Sequence, residues 1–490
     1  MHGRARVATL VVAVATLAPA TMAGAAPATE AGGEPPPNVV VVMTDDQTLD
    51  DLEVMTQTRE LIGDQGTTFS TSYVSYPLCC PSRSTFLTGQ YSHNHGVEWN
   101  QWPTGGFWKL DSTNTLPVWL QEAGYHTTHI GKYLNGYGST NPQDPTVGGA
   151  SYVPPGWSDW QGLVDPGTYR MYGYTINDNQ TLVRYGSEPD DYQTDVIADR
   201  AVTAIDERAE AGTPFFVSVA PLAPHAESAT ARPGPTAGPR AAPRHEGVFA
   251  DLPFDAPPSF DEADVSDKPS FVQDRPRLTP AAEDAVVERW RDRREALLAV
   301  DDLVGSVVGA LEEHDLLEET VIVFTSDNGF FHGEHRIPQS KYLAYEESVH
   351  VPLLVRGPGF PAGHVADQLV ANVDLAPTIV EATGATPRRV MDGRSLRPLA
   401  NDPSLGEGRS ILLETGPNSA GAPVYDAIHT GDFVYVEYTD GQRELYDLRK
   451  DPYQLRSRDD SPRYVLQRLL LDLGLEQLDD CTGTSCLLGT

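Results

Sequence analysis

The chain is 490 residues long and carries 35 Lys and Arg against 69 Asp and Glu, a formal net charge of −34 at pH 7. At about 150 residues per domain the length admits up to three units, and a composition 40% apolar and 21% charged is that of a globular protein, not a disordered one. The acidity excludes a broad nucleic-acid-binding surface, and any anionic substrate would need a local basic pocket set against the overall field.

Arg4 and Arg6 precede an apolar run from Val7 to Ala18, and the small-residue site Ala23-Gly24-Ala25 follows. The run falls short of the ~20 residues a membrane-spanning helix needs. The pattern predicts a secretory signal peptide over residues 1–25 and a disordered linker over 26–37, with an uncleaved anchor as the alternative. No later segment is long and apolar enough to span a bilayer, so the mature protein is expected to be exported and free of a membrane span.

From Asn38 the pattern changes. Val39 to Met43 is a continuous β-branched run without alternation, as expected for a parallel strand buried on both faces. Phe215 to Val219, Thr320 to Phe324 and Val351 to Val355 have the same character. Helices are predicted over Leu116 to Ala123, Asp191 to Ala209 and Thr279 to Glu313, the last with Leu297, Val300, Val304, Val308 and Leu311 at helical spacing. Strands alternating with helices predict an α/β domain over 38–400, with a large, mostly parallel sheet covered on both faces. Ser228 to Leu278 is Pro-rich and reads as a surface excursion, a lid or rim of a site. After about Ala400 the strands shorten and alternate. Phe433 to Tyr438, the turn Asp440-Gly441 and Arg443 to Leu448 predict an antiparallel hairpin. An amphipathic helix over Arg463 to Leu473 completes a small C-terminal α+β subdomain over 401–490.

Two buried strands end in oxygen donors: Asp45-Asp46 after the first, Asp327-Asn328 after Thr320 to Phe324. Ligands of open α/β sheets bind beyond the carboxyl ends of the strands. Three carboxylates and a carboxamide at one place call for a neutralising cation, and all-oxygen ligation selects a hard ion, Ca²⁺ or Mg²⁺, over zinc. Either pair alone reads first as a strand-end turn; the two after matched apolar runs read as a site.

Between them lies Leu78-Cys79-Cys80-Pro81-Ser82-Arg83-Ser84-Thr85-Phe86-Leu87-Thr88-Gly89-Gln90. Adjacent cysteines could form a vicinal disulfide or half a zinc site, but the chain has no C-x-x-C spacing. The segment resembles the C-x-P-S-R signature of the sulfatase family. That resemblance implies an alkaline-phosphatase-like fold and oxidation of the first cysteine to formylglycine by a formylglycine-generating enzyme during maturation. Register assigns that role to Cys79, which has Pro at +2 and Arg at +4; Cys80 then remains a packed thiol. The residue-79 hydrate would join Asp45, Asp46, Asp327 and Asn328 around one Ca²⁺, with Mg²⁺ possible.

Gly131-Lys132-Tyr133-Leu134-Asn135 is similar to the family's second signature and implies a catalytic Lys132. Leu134 stands where a common form of that signature has histidine. Ala223-Pro224-His225 resembles the segment bearing a catalytic histidine, and Gly333-Glu334-His335 with Lys341 the stretch bearing a second catalytic lysine. Asn372 to Thr378, Met391-Asp392-Gly393 and Glu444 to Leu448 are family-like but read as structural. The resemblance implies that Arg83, Lys132 and Lys341 hold the sulfate and the hydrate while His225 protonates the leaving oxygen. Its implied reaction is hydrolysis of sulfate monoesters: one aldehyde-hydrate hydroxyl attacks sulfur, and the other, on losing its proton, drives out sulfate. Tyr91 to His95 and Asp267 to Ser270 further resemble N-acetylglucosamine-6-sulfatase-type enzymes, so the substrates implied are sulfated sugars, glycosaminoglycan units among them, or aryl sulfates; His93 and His95 read equally as solvated loop residues. The alternatives are a formylglycine-dependent phosphonate or phosphodiester hydrolase and a secreted glycan-binding pseudoenzyme. Cys481 and Cys486, the remaining pair in an exported chain, are expected to form a disulfide, with two free thiols on a frayed tail as the alternative.

Overall fold

The computed structural model describes residues 36–232 and 238–489, so the predicted signal peptide and nearly all of the linker lie outside the described residues. In chain order the strands are β1 (Asn38–Thr44), β2 (Thr67–Phe69), β3 (Ser72–Tyr73), β4 (His126–Gly131), β5 (Asp159–Leu163), β6 (Thr175–Asp178), β7 (Thr181–Arg184) and β8 (Phe215–Ala220). They continue as β9 (Thr320–Ser326), β10 (Leu353–Arg356), β11 (His364–Ala366), β12 (Val370–Ala371), β13 (Ile411–Glu414), β14 (Tyr425–His429), β15 (Phe433–Tyr438) and β16 (Arg443–Asp447). The main helices are α1 (Cys79–Thr88), α2 (Leu116–Glu122), α3 (Gln193–Ala211), α4 (Pro280–Glu313), α5 (Leu375–Thr383) and α6 (Val465–Leu478).

Ten strands form one sheet in the order β11-β2-β10-β9-β1-β8-β4-β5-β6-β7, with β1 near its centre. Successive β1 side chains serve opposite layers. Val39, Val41 and Met43 pack with Phe86, Trp119 and Ile379, while Val40 and Val42 pack with Leu297, Val300 and Val304. A strand buried on both faces must be apolar at every position, and each such side chain contributes about 1.5–3 kcal/mol by leaving water. The long α4 starts as its sequence dictates: Thr279 accepts a hydrogen bond from the Ala282 amide at 3.3 Å and Pro280 follows at the first turn.

The sheet is mostly parallel, as predicted, with two strands, β10 and β6, running against the other eight. Strands β9, β1, β8, β4 and β5 run parallel, but β10 is antiparallel to both β9 and β2, and β6 and β7 fold back as a hairpin. The segment between β9 and β10 contains only the short helix Glu346–Val349. Without a helical crossover the chain re-enters the sheet in the opposite direction. That return keeps Lys341 at the carboxyl ends of the central strands.

Strands β13 to β16 form a separate four-stranded antiparallel sheet, including the predicted hairpin. Helix α6 packs on it through Leu471, Leu475 and Leu478, and the bridged Cys481 and Cys486 join the same apolar cluster. The tail is thus part of the core and not frayed. Among the described residues no helix is long and apolar enough to cross a membrane.

Candidate active site

Four neighbouring parallel strands, β9, β1, β8 and β4, deliver their next residues to one place. Register pairs Thr44 of β1 with Ser326 of β9, so Asp45-Asp46 and Asp327-Asn328 emerge side by side. The Asp46 amide donates to Asp327 Oδ1 at 3.1 Å, and Asp46 takes φ 69°, a left-handed conformation that costs energy in a non-glycine residue. Lys132 follows β4 through Gly131, whose φ is 107° and where a Cβ would stand 2.1 Å from the Ala220 carbonyl oxygen. Any other residue would push β4 off β8. His225 follows β8, and Cys79 opens α1.

These side chains interlock. Cys79 Sγ lies 3.5 Å from Asp45 Oδ1 and receives Lys341 Nζ at 2.9 Å. Lys132 pairs with Asp45, and Lys341 pairs with Asp46. His225 Nε2 is 3.7 Å from Asp46 Oδ2, and its Nδ1 is 2.6 Å from the Ala226 carbonyl oxygen. Burial alone would raise the Asp46 carboxyl, but Lys341, His225 and Arg293 overrule it and hold it at about 2. Asp45 is likewise lowered, by Lys132, His225 and Arg83 against its burial. The Cys79 thiol goes the other way: burial, then Asp45, pushes it up to about 12. As a thiol it is therefore protonated, and a poor nucleophile, at neutral pH.

Arg83 stands one step back from the cleft. Its Nε donates to Asp327 Oδ2 at 2.7 Å, Nη1 to the Lys132 carbonyl at 3.0 Å and Nη2 to the Thr44 carbonyl at 3.5 Å. With these donors engaged it braces three strand ends.

Ligand atoms of Asp45, Asp46, Cys79 and His225 all lie within 4.8 Å of one another. Asn328 Nδ2 donates to Asp46 Oδ1 at 2.7 Å, whereas its Oδ1 is buried with no hydrogen-bond partner. A buried carbonyl oxygen without a donor is costly unless a cation meets it. The carboxylates are matched by Lys132, Lys341 and Arg83, so charge balance alone does not demand a metal. The orphaned oxygen beside oxygen-rich neighbours fits a hard divalent ion.

Sequence gave no sign of Arg293. This α4 residue is fully buried and donates from Nη1 to the Pro224 carbonyl at 3.0 Å and from Nη2 to the Asp46 carbonyl, tying the Asp46 and His225 loops together. Tyr169 was also missed: its ring stands 5.0 Å from Lys132 Nζ and 5.1 Å from the His225 ring, and its hydroxyl receives Asn135 Nδ2 at 2.7 Å. Leu134, at the position of the missing histidine, is buried in the core. His93 and His95 serve the fold. His95 contacts Thr85 Oγ1 at 3.1 Å, while His93 bridges Glu414 and the Cys481 carbonyl, each at 2.9 Å. Cys80 is a buried free thiol.

A cleft of about 630 Å³ opens onto the cluster, lined by Asp46, His225, Lys341, Trp99, Phe271 and Arg275 among others. Its size suits a small-molecule ligand.

The family model described as Sulfatase matches residues 37–385, and one described as N-sulphoglucosamine sulphohydrolase, C-terminal, matches 333–479. The N-acetylglucosamine-6-sulfatase of Capra hircus is 33% identical, with 93% of this chain and 86% of the relative covered. The arylsulfatase of Volvox carteri is also 33% identical, covering 94% and 77%. Among solved structures, a protein in complex with its substrate D-glucosamine-2-N,6-O-disulfate superposes with a TM-score of 0.76 at 23% identity, over 91% of this chain and 97% of the other. The phosphonate monoester hydrolase of Agrobacterium radiobacter superposes at 0.72 and 22% identity, over 90% and 95%.

Proposed function

The chain belongs to the sulfatase family of sulfuric ester hydrolases, and on that premise we propose that it hydrolyses sulfate monoesters of sugars, glucosamine 6-sulfates foremost, using formylglycine made from Cys79. The observation that carries this reading is the convergence of four strand ends and Lys341 on Cys79. Asp45, Asp46, Asp327, Asn328 and residue 79 would hold one Ca²⁺, with Mg²⁺ as the other hard ion the donors accept. That ion would polarise residue 79 and the sulfate, and the aldehyde supplies the hydrated nucleophile that a buried thiol does not.

The chain's own residues do the rest. Lys132 and Lys341 flank residue 79 from β4 and the β9–β10 segment and bind the sulfate oxygens. Fixed cations in a water-poor site stabilise charge that builds on those oxygens as the ester bond breaks, each worth about 10²–10³ in rate. Nδ1 of His225 donates to the Ala226 carbonyl, so its Nε2, which faces the cleft, gives a proton to the leaving alcohol from the imidazolium form, which the Asp46 carboxylate at 3.7 Å favours. Arg83 and Arg293 keep the strand ends in register. We assign 38–400 as the catalytic domain and 401–490 as its C-terminal subdomain, and we read the protein as secreted after loss of residues 1–25, with a formylglycine-generating enzyme acting in maturation.

The test is a panel on purified, aldehyde-bearing protein: N-acetylglucosamine 6-sulfate, 4-nitrophenyl sulfate, a phosphonate monoester and a phosphodiester. Preference for the sulfates supports the reading. Preference for the phosphorus esters, or binding without turnover, replaces it.

A further inference from the structure

We propose that the cleft over residue 79 is built for substrates bearing a second anionic group, and that Arg275 holds that group. The inference rests on the sulfatase reading and narrows it to polyanionic substrates, with a carboxylate or another sulfate on the leaving alcohol.

Arg275 comes from the Pro-rich excursion after β8. Phe271 lies in the short helix Ser270–Gln273 and Arg275 two residues past its end, and both line the cleft with Asp46, His225 and Lys341. The wall that carries them is fixed. The Ser270 amide donates to Gln442 Oε1 at 2.7 Å, buried Lys268 Nζ to the Gln454 carbonyl at 2.8 Å, and Arg336 Nη1 to the Arg275 carbonyl at 3.0 Å.

The other arginines of this wall are satisfied. Arg277 pairs with Asp261 at 2.5 Å, and Arg336 donates to the carbonyls of Glu262, Ala263 and Arg275 at 2.8–3.0 Å. Arg275 is different: among the described residues no carboxylate pairs with its guanidinium, and its Nε is shut off from solvent with no hydrogen-bond partner. In a chain with 69 acidic residues against 35 basic ones, an unmatched arginine facing a ligand cleft stands out. The one carboxylate lining this cleft is Asp46, which Lys341 already engages. The planar fork of donors on a guanidinium matches a carboxylate or sulfate oxygen pair. The reacting sulfate has its own cations in Lys132 and Lys341, so Arg275 is free for a second group.

The test separates binding from turnover. In Cys79→Ala protein, which cannot react, the affinities of N-acetylglucosamine 6-sulfate and of glucosamine 2-N,6-O-disulfate are measured by calorimetry, with and without Arg275→Gln. Arg275→Gln should weaken the disulfated ligand about 10- to 100-fold more than the monosulfated one, the range expected for a hydrogen bond between charged groups. In aldehyde-bearing enzyme the same substitution should shrink the ratio of kcat/KM between the two esters by a similar factor through KM, and Arg275→Lys should restore part of it. Equal losses on both ligands, or no change in the ratio, would overturn the assignment while leaving the sulfatase reading intact. If aldehyde-bearing wild-type enzyme hydrolyses neither ester, the glucosamine-sulfate reading fails, and the proposal with it.

Discussion

Two buried sets of opposite charges show what separates a site from a structural brace. Asp374 and Arg409, both almost fully buried, form a two-pronged pair at 2.7 and 2.8 Å. The remaining capacity of Asp374 is filled by the amides of Ala371 and Arg394, each at 2.9 Å. Both Asp374 oxygens are committed; the atom left over is Arg409 Nε, a buried donor that offers a cation no ligand. The cluster around Cys79 sets three aspartates against Lys132, Lys341 and Arg83 yet leaves Asn328 Oδ1 without a partner, and it opens to a cleft. A closed pair adds rigidity; an open one is poised for an ion and an anion.

The contrast can be broken by removing members of each set. Cys79→Ala should lower turnover by about 10⁴-fold or more, as loss of a nucleophile does, with the melting temperature nearly unchanged. Cys80→Ser should keep most of the activity, and equal losses in the two would contradict the register. Arg409→Ala should destabilise the fold by about 3–5 kcal/mol, because it strands a buried carboxylate. Denaturant unfolding measures that loss, and the residual folded protein should keep its kcat. Lys132→Ala and Lys341→Ala should each cost about 10²–10³ in kcat/KM in the protein that stays folded, and Lys132→Ala, which strands the buried Asp45, should also lower stability. Unchanged kcat/KM in either would mark that lysine as a brace alone.

A smaller effect concerns the tail. Burial would lower the His93 pKa, but Glu414 and the Cys481 carbonyl raise it to about 9. The folded value exceeds the unfolded value of ~6.5, so the stabilisation is fully present below pH ~6.5 and is lost as pH rises through about 9. The wild type should lose about 1–3 kcal/mol relative to His93→Gln between pH 6 and pH 10; parallel curves would remove His93 from the account. Smallest of all, Cys481→Ser with Cys486→Ser should leave turnover unchanged and speed C-terminal proteolysis, because so short a loop adds less than the ~3 kcal/mol of a 15-residue one.

Much of this architecture was legible in the chain. The unbroken apolar runs of β1, β8 and β9 and the donors that follow two of them carry the sheet and the candidate metal cluster locally. The Cys79 to Arg83 segment carries the family resemblance. Less legible was what depends on distant partners. Arg293 is an ordinary-looking arginine on a charged helix, and only packing shows that it ties Asp46 to Pro224. The β6–β7 hairpin turns through Asn179 and Gln180, both at positive φ, without the glycine that usually announces such a turn. The direction of β10 was hidden because an apolar run is the same read in either sense. Arg275 lies in a Pro-rich stretch whose place as a rim was readable but whose inward-facing residues were not.

The central claim is that residue 79 acts as an aldehyde at the mouth of an open charge cluster. The most direct measurement is peptide mapping of residue 79 by mass spectrometry across preparations of graded maturation, with sulfate-ester turnover measured on each. Turnover should rise in proportion to the fraction of chains in which Cys79 shows the thiol-to-aldehyde mass change, and should vanish where that fraction is zero. Full turnover from chains whose Cys79 is still an intact thiol would contradict the account.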